Sequence, residues 1–181
     1  MKKLIVLMGM PGAGKDTQAL LLEKALDLKV IRVGDEVRKK AKNDKELAKN
    51  INSGELANES MVDKIVEDIL RGSAANAHLL SDGYPRSYGQ AQALQAMTKK
   101  LDIEIEKVLY LEITEAEVFA RLKLRARADD DEAVIANRLE VFEESTKPVL
   151  EHFKSLGILK RIDGIGTIEQ VQSRIQEALK Q

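Results

Sequence analysis

The residues best suited to chemistry lie near the amino terminus, in the glycine-rich stretch GMPGAGKDTQ, residues 9–18. Its glycines and Lys15 have the spacing of a phosphate-binding loop, in which backbone N–H groups and a lysine surround a polyphosphate. Such a lysine is usually followed by a hydroxyl residue that holds Mg²⁺, but here Asp16 comes next and Thr17 only after it. The stretch predicts a nucleoside triphosphate site. The alternative is a strand-helix turn with a solvated lysine.

Several arginines form a second group of candidate phosphate ligands. Arg138 has no carboxylate three or four residues away on its predicted helix, where the neighbours are Val134, Ile135, Val141 and Phe142. Its guanidinium must therefore reach solvent or face a buried anion. Arg121 and Arg125 are four residues apart, and like charges at that spacing repel unless an anion binds between them. The alternative pairs Arg121 with Glu117 and leaves Arg125 in solvent.

Two further arginines have simpler explanations. Arg38 begins a basic segment, RKKAKNDK, that fits a solvated helix face. Arg86 follows Pro85 after a predicted central strand, and open parallel sheets bind ligands at the carboxyl ends of their strands. Arg86 is therefore the stronger candidate for a ligand contact.

For three acidic or amide residues near these arginines, the alternative to a ligand contact is a structural role. Asp82 precedes Gly83 and could begin a turn. Asp35 follows Gly34 and could be the N-cap of a helix. Gln90 follows Ser87 at the spacing of a capping box, so one side chain could serve either the helix or a ligand.

The elements that must position these residues alternate between short apolar runs and longer segments of helical period. The predicted strands are residues 3–8, 29–33, 77–81, 106–113 and 158–163. The predicted helices are about 15–27, 87–100, 114–126, 131–155 with a break near Pro148, and 167–180. This alternation is typical of an α/β fold with a five-stranded parallel sheet and helices on both faces. Residues 34–73 lack a convincing strand and predict a small helical insertion.

Composition limits the function classes. The chain has 181 residues, enough for one domain, and its 29 basic and 30 acidic residues give a net charge of −1, which does not favour a general nucleic-acid or membrane-surface binder. Without cysteine, thiolate catalysis and cysteine-ligated metals are excluded, and a cytoplasmic location is compatible. The apolar run at residues 4–8 is too short for a membrane span or a secretory signal. We expect a monomer without nucleic-acid or membrane partners.

The motifs GMPGAGKDTQ, GDEVR and DGYPRSYGQ, followed by RLKLRARADD, ANRL and IDG, occur in an order that resembles the adenylate kinase family of nucleoside monophosphate kinases. The resemblance runs nearly end to end. It implies a three-layer P-loop kinase fold and transfer of the terminal phosphoryl group of Mg·ATP to AMP, giving two ADP. In that family a residue without a hydroxyl commonly follows the loop lysine and threonine comes next, which explains the order Asp16, Thr17.

The resemblance also implies roles for individual residues. The ATP-binding set is Gly12, Ala13, Gly14, Lys15, Asp16, Thr17, Arg121 and Arg125. The AMP-binding set is Gly34, Asp35, Arg38, Gly83, Arg86, Gln90, Arg127 and Arg138. The residues expected to act on the transferring phosphoryl group are Lys15, Arg86, Arg121, Arg127 and Arg138, and Asp82 is expected to hold Mg²⁺ through water. The backbone around DGIGT, residues 163–167, is expected to contact adenine.

The acceptor and the organisation of the domain remain expectations. Gln90 favours AMP, whereas Val33 stands where the family commonly has threonine, so a UMP/CMP kinase or a broader monophosphate kinase stays open. A P-loop protein that senses nucleotide without transferring phosphate is the alternative from another class. The single kinase domain is expected to comprise a core of residues 1–33 and 74–181, a monophosphate-binding insertion of residues 34–73, and a very short lid near residues 125–131. Such a lid should exclude water poorly.

The unusual acid in the loop yields the first prediction. We expect Asp16→Gly to keep most of the phosphoryl-transfer activity, because a carboxylate beside a triphosphate is a poor phosphate ligand. We expect Lys15→Met to lose nearly all of it. Steady-state ADP formation measures both, and circular dichroism checks that both variants fold. Loss of Mg²⁺-dependent turnover in folded Asp16→Gly would mean that Asp16 is itself a metal ligand.

Overall fold

A five-stranded, all-parallel sheet forms the centre of the protein in the computed structural model, which describes residues 1–125 and 131–180. The strands lie in the order β2-β3-β1-β4-β5. In chain order they are β1 Lys2–Gly9, β2 Lys29–Arg32, β3 His78–Asp82, β4 Ile103–Glu112 and β5 Leu159–Asp163. All-parallel sheets need helical crossovers and cover on both faces. The predicted α/β class with a three-layer arrangement is confirmed.

The helices surround this sheet and also build the segment between β2 and β3. In the described ranges they are α1 Lys15–Leu26, α2 Val33–Ala41, α3 Lys45–Ser53, α4 Glu59–Gly72, α5 Tyr88–Lys100, α6 Glu115–Arg125, α7 Glu132–Val141, α8 Lys147–Ser155 and α9 Ile168–Lys180. A π-helical turn, Phe142–Thr146, joins α7 to α8. No helix in the described ranges combines the length and the apolar character that crossing a membrane requires.

Two apolar clusters, one on each face, hold helices to the sheet. Successive residues of β1 point to opposite faces, so Leu4 and Val6 pack in one cluster while Ile5 and Leu7 pack in the other. The first cluster includes residues of α2, α4, α5 and α8, and the second includes residues of α1, α6, α7 and α9. Burial on both faces explains why the strands read as apolar runs instead of alternating sequences.

The parallel register brings the candidate loops together. β1 lies between β3 and β4, and Leu7 is paired with Asp82. The loop that follows Gly9 and the connection that follows Asp82 therefore leave the same edge of the sheet side by side. This arrangement places the glycine-rich loop beside the segment that carries Arg86.

Most predicted boundaries agree with the structure to within three residues, and one interpretation needs correction. The break predicted near Pro148 in helix 131–155 is present as the π-helical turn, which ends just before Lys147 and Pro148. Asp35 is not an N-cap, because α2 begins at Val33 with Arg32 in the cap position. Asp35 instead lies in the first turn of α2, where its carboxylate pairs with Arg38.

The packing of the central strands yields a stability prediction. Leu109 in β4 has 0% exposure and packs between β1 and the second cluster, so Leu109→Ala leaves a cavity that should cost about 2–5 kcal/mol. Leu124→Ala is the matched control, because Leu124 is 88% exposed and such changes stay within about 0.5 kcal/mol. Urea denaturation measures both. Equal effects of the two variants would contradict the assignment of Leu109 to the core.

Candidate active site

A single open cleft with a volume of about 710 Å³ lies at the carboxyl edge of the sheet. It brings together residues from the glycine-rich loop, α2, the β3–α5 connection, α6, α7 and the β5–α9 loop. The predicted site residues that line it are Gly12, Ala13, Gly14, Lys15, Asp16, Thr17, Gly34, Asp35, Arg38, Asp82, Gly83, Arg86, Arg121 and Arg138. Segments far apart in the sequence thus contribute to one site.

Lys15 is the first residue of α1 and lies at the base of this cleft. Gly14, just before it, has a φ of 89°, a left-handed conformation that glycine adopts without strain. The Lys15 ammonium donates to the carbonyl oxygens of Gly9 at 2.9 Å and Met10 at 3.0 Å. Burial lowers the pKa of Lys15 to about 8, although the carboxylate of Asp82 opposes the shift. The ammonium is therefore poorly hydrated and well placed to bind an anion.

Asp82 and Asp16 form a pair of carboxyl groups beside Lys15. Asp82 ends β3 and is 7% exposed, whereas Asp16 lies at the exposed start of α1. Burial raises the pKa of Asp82 to about 6, and a hydrogen bond with Asp16 adds to this shift while Lys15 opposes it. Within residues 1–125 and 131–180, no three histidines or acids converge as a metal cage, so any metal here would need phosphate or water as further ligands.

Arg86 and Arg138 bring two further positive charges to the surroundings of Lys15. Arg86 Nε donates to the carbonyl oxygen of Gly83 at 2.8 Å. Removal of water by the surrounding protein, followed by the charge of Arg138, lowers the pKa of Arg86. Both side chains line the same cleft, so Arg138 does not simply extend to bulk solvent.

Arg38 and Arg121 each hold a carboxylate on their own helix. Arg38 pairs with Asp35 at 2.6 Å, and both side chains are about half exposed. Arg121 pairs with Glu117 at 2.6 Å, as the simpler sequence interpretation expected, and also donates to the carbonyl oxygen of Gly164 at 3.0 Å. Both arginines line the cleft. Because exposed pairs of this kind are worth little, a phosphate could replace either carboxylate at small cost.

Gln90 makes capping contacts at the start of α5, and its side chain also borders a pocket. Its backbone N–H donates to Ser87 Oγ at 3.2 Å, so Ser87 caps α5. Its side-chain oxygen accepts from the backbone N–H of Arg86 at 2.7 Å, one residue before the N-cap, so this is a shifted capping box. Gln90 also lines a side pocket of about 100 Å³ together with Val33 and Arg38.

The β5–α9 loop is held by contacts that sequence reasoning missed. Arg174 on α9 donates to the carbonyl oxygens of Asp163 at 2.8 Å and Ile165 at 2.6 Å. The carbonyl oxygen of Gly164 accepts from Arg121. Gly166, by contrast, has no backbone hydrogen bond to the described part of the chain. Gly166 lines the cleft, so the loop presents one unused N–H and carbonyl to a ligand. Nothing in the sequence around Arg174 indicated this tether.

A second missed contact joins α3 to α7. Asn137 Nδ2 donates to the carbonyl oxygen of Ser53 at 2.6 Å. Gly54, with a φ of 88°, packs so closely on Arg138 that an added Cβ would lie 2.9 Å from Arg138 Cγ. The segment 34–73 therefore touches the helix that carries Arg138. A contact between residues 84 positions apart leaves no local pattern.

Two predicted site residues cannot be placed. The side chain of Arg125, and Arg127 as a whole, lie outside the described residues. Most of the predicted lid near residues 125–131 lies outside them as well. Of that segment the structure describes the end of α6 and Asp131, which caps α7 by accepting from Ala133 N at 3.0 Å.

The pKa of Lys15 yields a prediction about triphosphate binding. As the pH rises through about 8, Lys15 loses its proton and affinity for a nucleoside triphosphate should fall. At pH 8 binding should take up protons, because the polyanion restores the charged form. Calorimetry in two buffers of different ionisation enthalpy measures this uptake. We expect Lys15→Met to abolish it and the exposed-site control Lys24→Met to keep it. Unchanged uptake in Lys15→Met would contradict the assignment.

Comparison with known proteins agrees with this geometry. The family model for adenylate kinase matches residues 7–158. A protein of Prochlorococcus marinus (strain MIT 9313) named adenylate kinase is 39% identical over 99% of this chain and 100% of its own length. Proteins with the same name are 40% identical in Mycolicibacterium vanbaalenii and 38% identical in Thermobifida fusca, each over 97% of this chain and at least 97% of their own length. The chain therefore belongs to the adenylate kinase family.

Proposed function

We propose that the chain transfers the terminal phosphoryl group of ATP to AMP, giving two ADP. The observation that carries this proposal is one cleft lined both by the glycine-rich loop and by Arg38, Arg86 and Arg138. A protein that only senses a nucleotide needs one phosphate site, whereas a phosphotransferase must hold two polyanions against each other. The second set of cations therefore favours transfer over sensing.

ATP occupies the side formed by the glycine-rich loop, α6 and the β5–α9 loop. The loop amides from Gly12 to Thr17 and the N-terminus of α1 bind the phosphates. Lys15 neutralises charge on the terminal phosphates. Arg121 leaves Glu117 to bind phosphate or stack on adenine, and the free backbone groups of Gly166 contact the base. Arg125 is the further phosphate ligand on this side.

Asp82 fits a magnesium ion bound through water. It supplies a buried oxygen at the phosphate loop, and the carboxyl group of Asp16 is hydrogen-bonded to it. Mg²⁺ keeps several waters and needs one or two carboxylates in addition to phosphates. When bound, the ion supplies positive charge at the terminal phosphates of ATP. Within the chain, Lys15 favours the ionised form of Asp82 and opposes the burial that raises the pKa of this carboxyl.

AMP lies between α2 and the β3–α5 connection. Its phosphate binds Arg38, Arg86 and Arg138, whose guanidinium planes can each hold two oxygens. Gly34 and Gly83 are next to these arginines; a Cβ on Gly83 would lie 3.0 Å from Arg86 Nη2. Because the attacking phosphate oxygen is already ionised, no general base is needed. Rate comes from in-line positioning and from charge stabilisation by Lys15 and the arginines, among them Arg127.

Neither histidine is needed for this chemistry. His78 is hydrogen-bonded to Glu106 at 3.0 Å, and His152 to Gln95 at 2.7 Å. Neither residue lines the cleft. Both are therefore assigned structural roles.

Base selection falls to the side pocket that holds Gln90. The amide of Gln90 is fixed by Arg86 N, which orients it toward one hydrogen-bonding pattern, and AMP fits that pattern by family resemblance. Val33 also lines the pocket and has no hydroxyl to read a base. A UMP/CMP kinase is for this reason the second candidate.

Organisation and setting follow from the same proposal. The core of residues 1–33 and 74–181 carries the catalytic loop, residues 34–73 close over AMP, and the short lid near 125–131 covers ATP. We assign the protein to the cytoplasm and expect it to be a monomer. Its role is in nucleotide biosynthesis.

An acceptor assay tests the function. ADP formation from Mg·ATP is coupled to NADH oxidation with AMP, CMP, UMP or GMP as acceptor. We expect AMP to give the highest kcat/KM and Gln90→Leu to reduce that preference. Fastest turnover with CMP or UMP would assign the second candidate. ATP binding without turnover on any acceptor would overturn the kinase proposal.

A further inference from the structure

The main chain of Arg86 is held by side chains on both sides. Arg86 lies in an irregular connection between β3 and α5, so no sheet or helix partner fixes its backbone. Its N–H donates to Gln90 Oε1 at 2.7 Å, and its carbonyl oxygen accepts from Thr146 Oγ1 at 2.7 Å. Thr146 is 7% exposed. A guanidinium that must meet a phosphate is therefore anchored through two backbone hydrogen bonds.

The π-helical turn places Thr146 where it can make this bond. Lys147 N–H donates to the carbonyl oxygen of Phe142, an i→i−5 bond that accommodates one residue more than an α-helical turn. Thr146 follows Arg138 by eight positions, which in a regular α-helix turns it by ~80° from Arg138. Because the π-helical turn takes up one extra residue, Thr146 occupies the direction that the seventh residue after Arg138 would have in a regular α-helix. That direction is only ~20° from Arg138. Arg138 and Thr146 then face the same side.

Both residues do line one small cavity. This cavity, of about 80 Å³, is also bordered by Lys15, Arg86 and Phe142. The helical segment 132–155 thus reaches the phosphate site twice, directly through Arg138 and indirectly through the carbonyl of Arg86. π-turns inside helices are frequent at functional sites, and here the turn has a definable geometric consequence.

We propose that Thr146 is a positioning residue for phosphoryl transfer, which through the Arg86 carbonyl fixes the placement of Arg86 relative to Arg138. The two cations repel each other, and Arg138 contributes to the lowered pKa of Arg86. Without the Thr146 hydroxyl, Arg86 is free to shift away from its neighbour. The proposal rests on the proposed function, because it assigns the shared anion to the AMP phosphate.

Replacement of the hydroxyl by a methyl group tests this role. Thr146→Val keeps the shape of the side chain and removes its hydrogen bond to Arg86. We expect the KM for AMP to rise roughly 3- to 10-fold, in line with the loss of one hydrogen bond, and kcat to fall. The KM for ATP should stay within about twofold, because Lys15 and Arg121 are untouched. Thr146→Ser keeps the hydroxyl and should restore most of the AMP-dependent loss.

The chain offers a matched control in Thr98. Thr98 is 3% exposed and its Oγ1 donates to the backbone carbonyl of Leu94 at 2.8 Å, within α5. Thr98→Val therefore removes a similar buried hydroxyl bond away from the cleft. We expect it to change Tm without changing the KM for AMP. If Thr146→Val fails to fold, the pair Thr146→Ala and Thr146→Ser replaces it.

The outcomes separate this proposal from the function itself. No transfer by the wild-type protein would overturn the proposed function and this role with it. With transfer present, a Thr146→Val protein that changes only Tm would overturn the positioning role alone. So would a Thr146→Ser protein that behaves like Thr146→Val, because packing and not the hydroxyl would then be decisive. AMP titration by calorimetry provides a readout independent of turnover.

Discussion

Repulsion among cations at the carboxyl edge of the sheet is the constraint on which the rest of the site depends. Lys15, Arg86 and Arg138 share one cleft. Burial lowers the pKa of Lys15 to about 8 and also lowers the pKa of Arg86, and repulsion from the neighbouring arginines adds to both shifts. A site built to accept two polyanions must hold these charges together before either anion arrives. Because the charged side chains are already in place, they need not rearrange during the reaction. Their mutual repulsion, however, lowers the stability of the folded protein.

Backbone carbonyls and nearby carboxylates make this arrangement tolerable. Lys15 binds the carbonyls of Gly9 and Met10, and Arg86 binds that of Gly83. Arg38 and Arg121 bind carboxylates of their own helices. These partners lie close in the sequence and are only partly shielded from water, so each bond is modest in net energy. The protein therefore keeps every one of these cations partnered while leaving them available to phosphate.

The helical segment from Glu132 to Ser155 connects the parts of the site. At its start Asn137 is bound to Ser53, and Gly54 packs on Arg138. At its middle the π-helical turn directs Thr146 to the carbonyl of Arg86. Movement of the segment 34–73 would therefore displace Arg138. Through Thr146 on the same helical segment, it would also displace Arg86. Close packing makes such contacts two-state and not continuously adjustable.

By itself the sequence determined the strand-helix alternation, the phosphate loop and the candidate ligands, because each depends on a local hydrophobic period or on a fixed residue spacing. It predicted Lys15, Asp82 and Arg138 as residues of one site, and all three line the same cleft. Only the tertiary structure decided the pairing of Asp16 with Asp82, the shifted cap by Gln90, the tether from Arg174 and the position of Thr146. Each depends on the relative placement of distant segments, or on a helical turn one residue wider than normal. No local pattern encodes such placement, because it is set by the packing of the whole sheet.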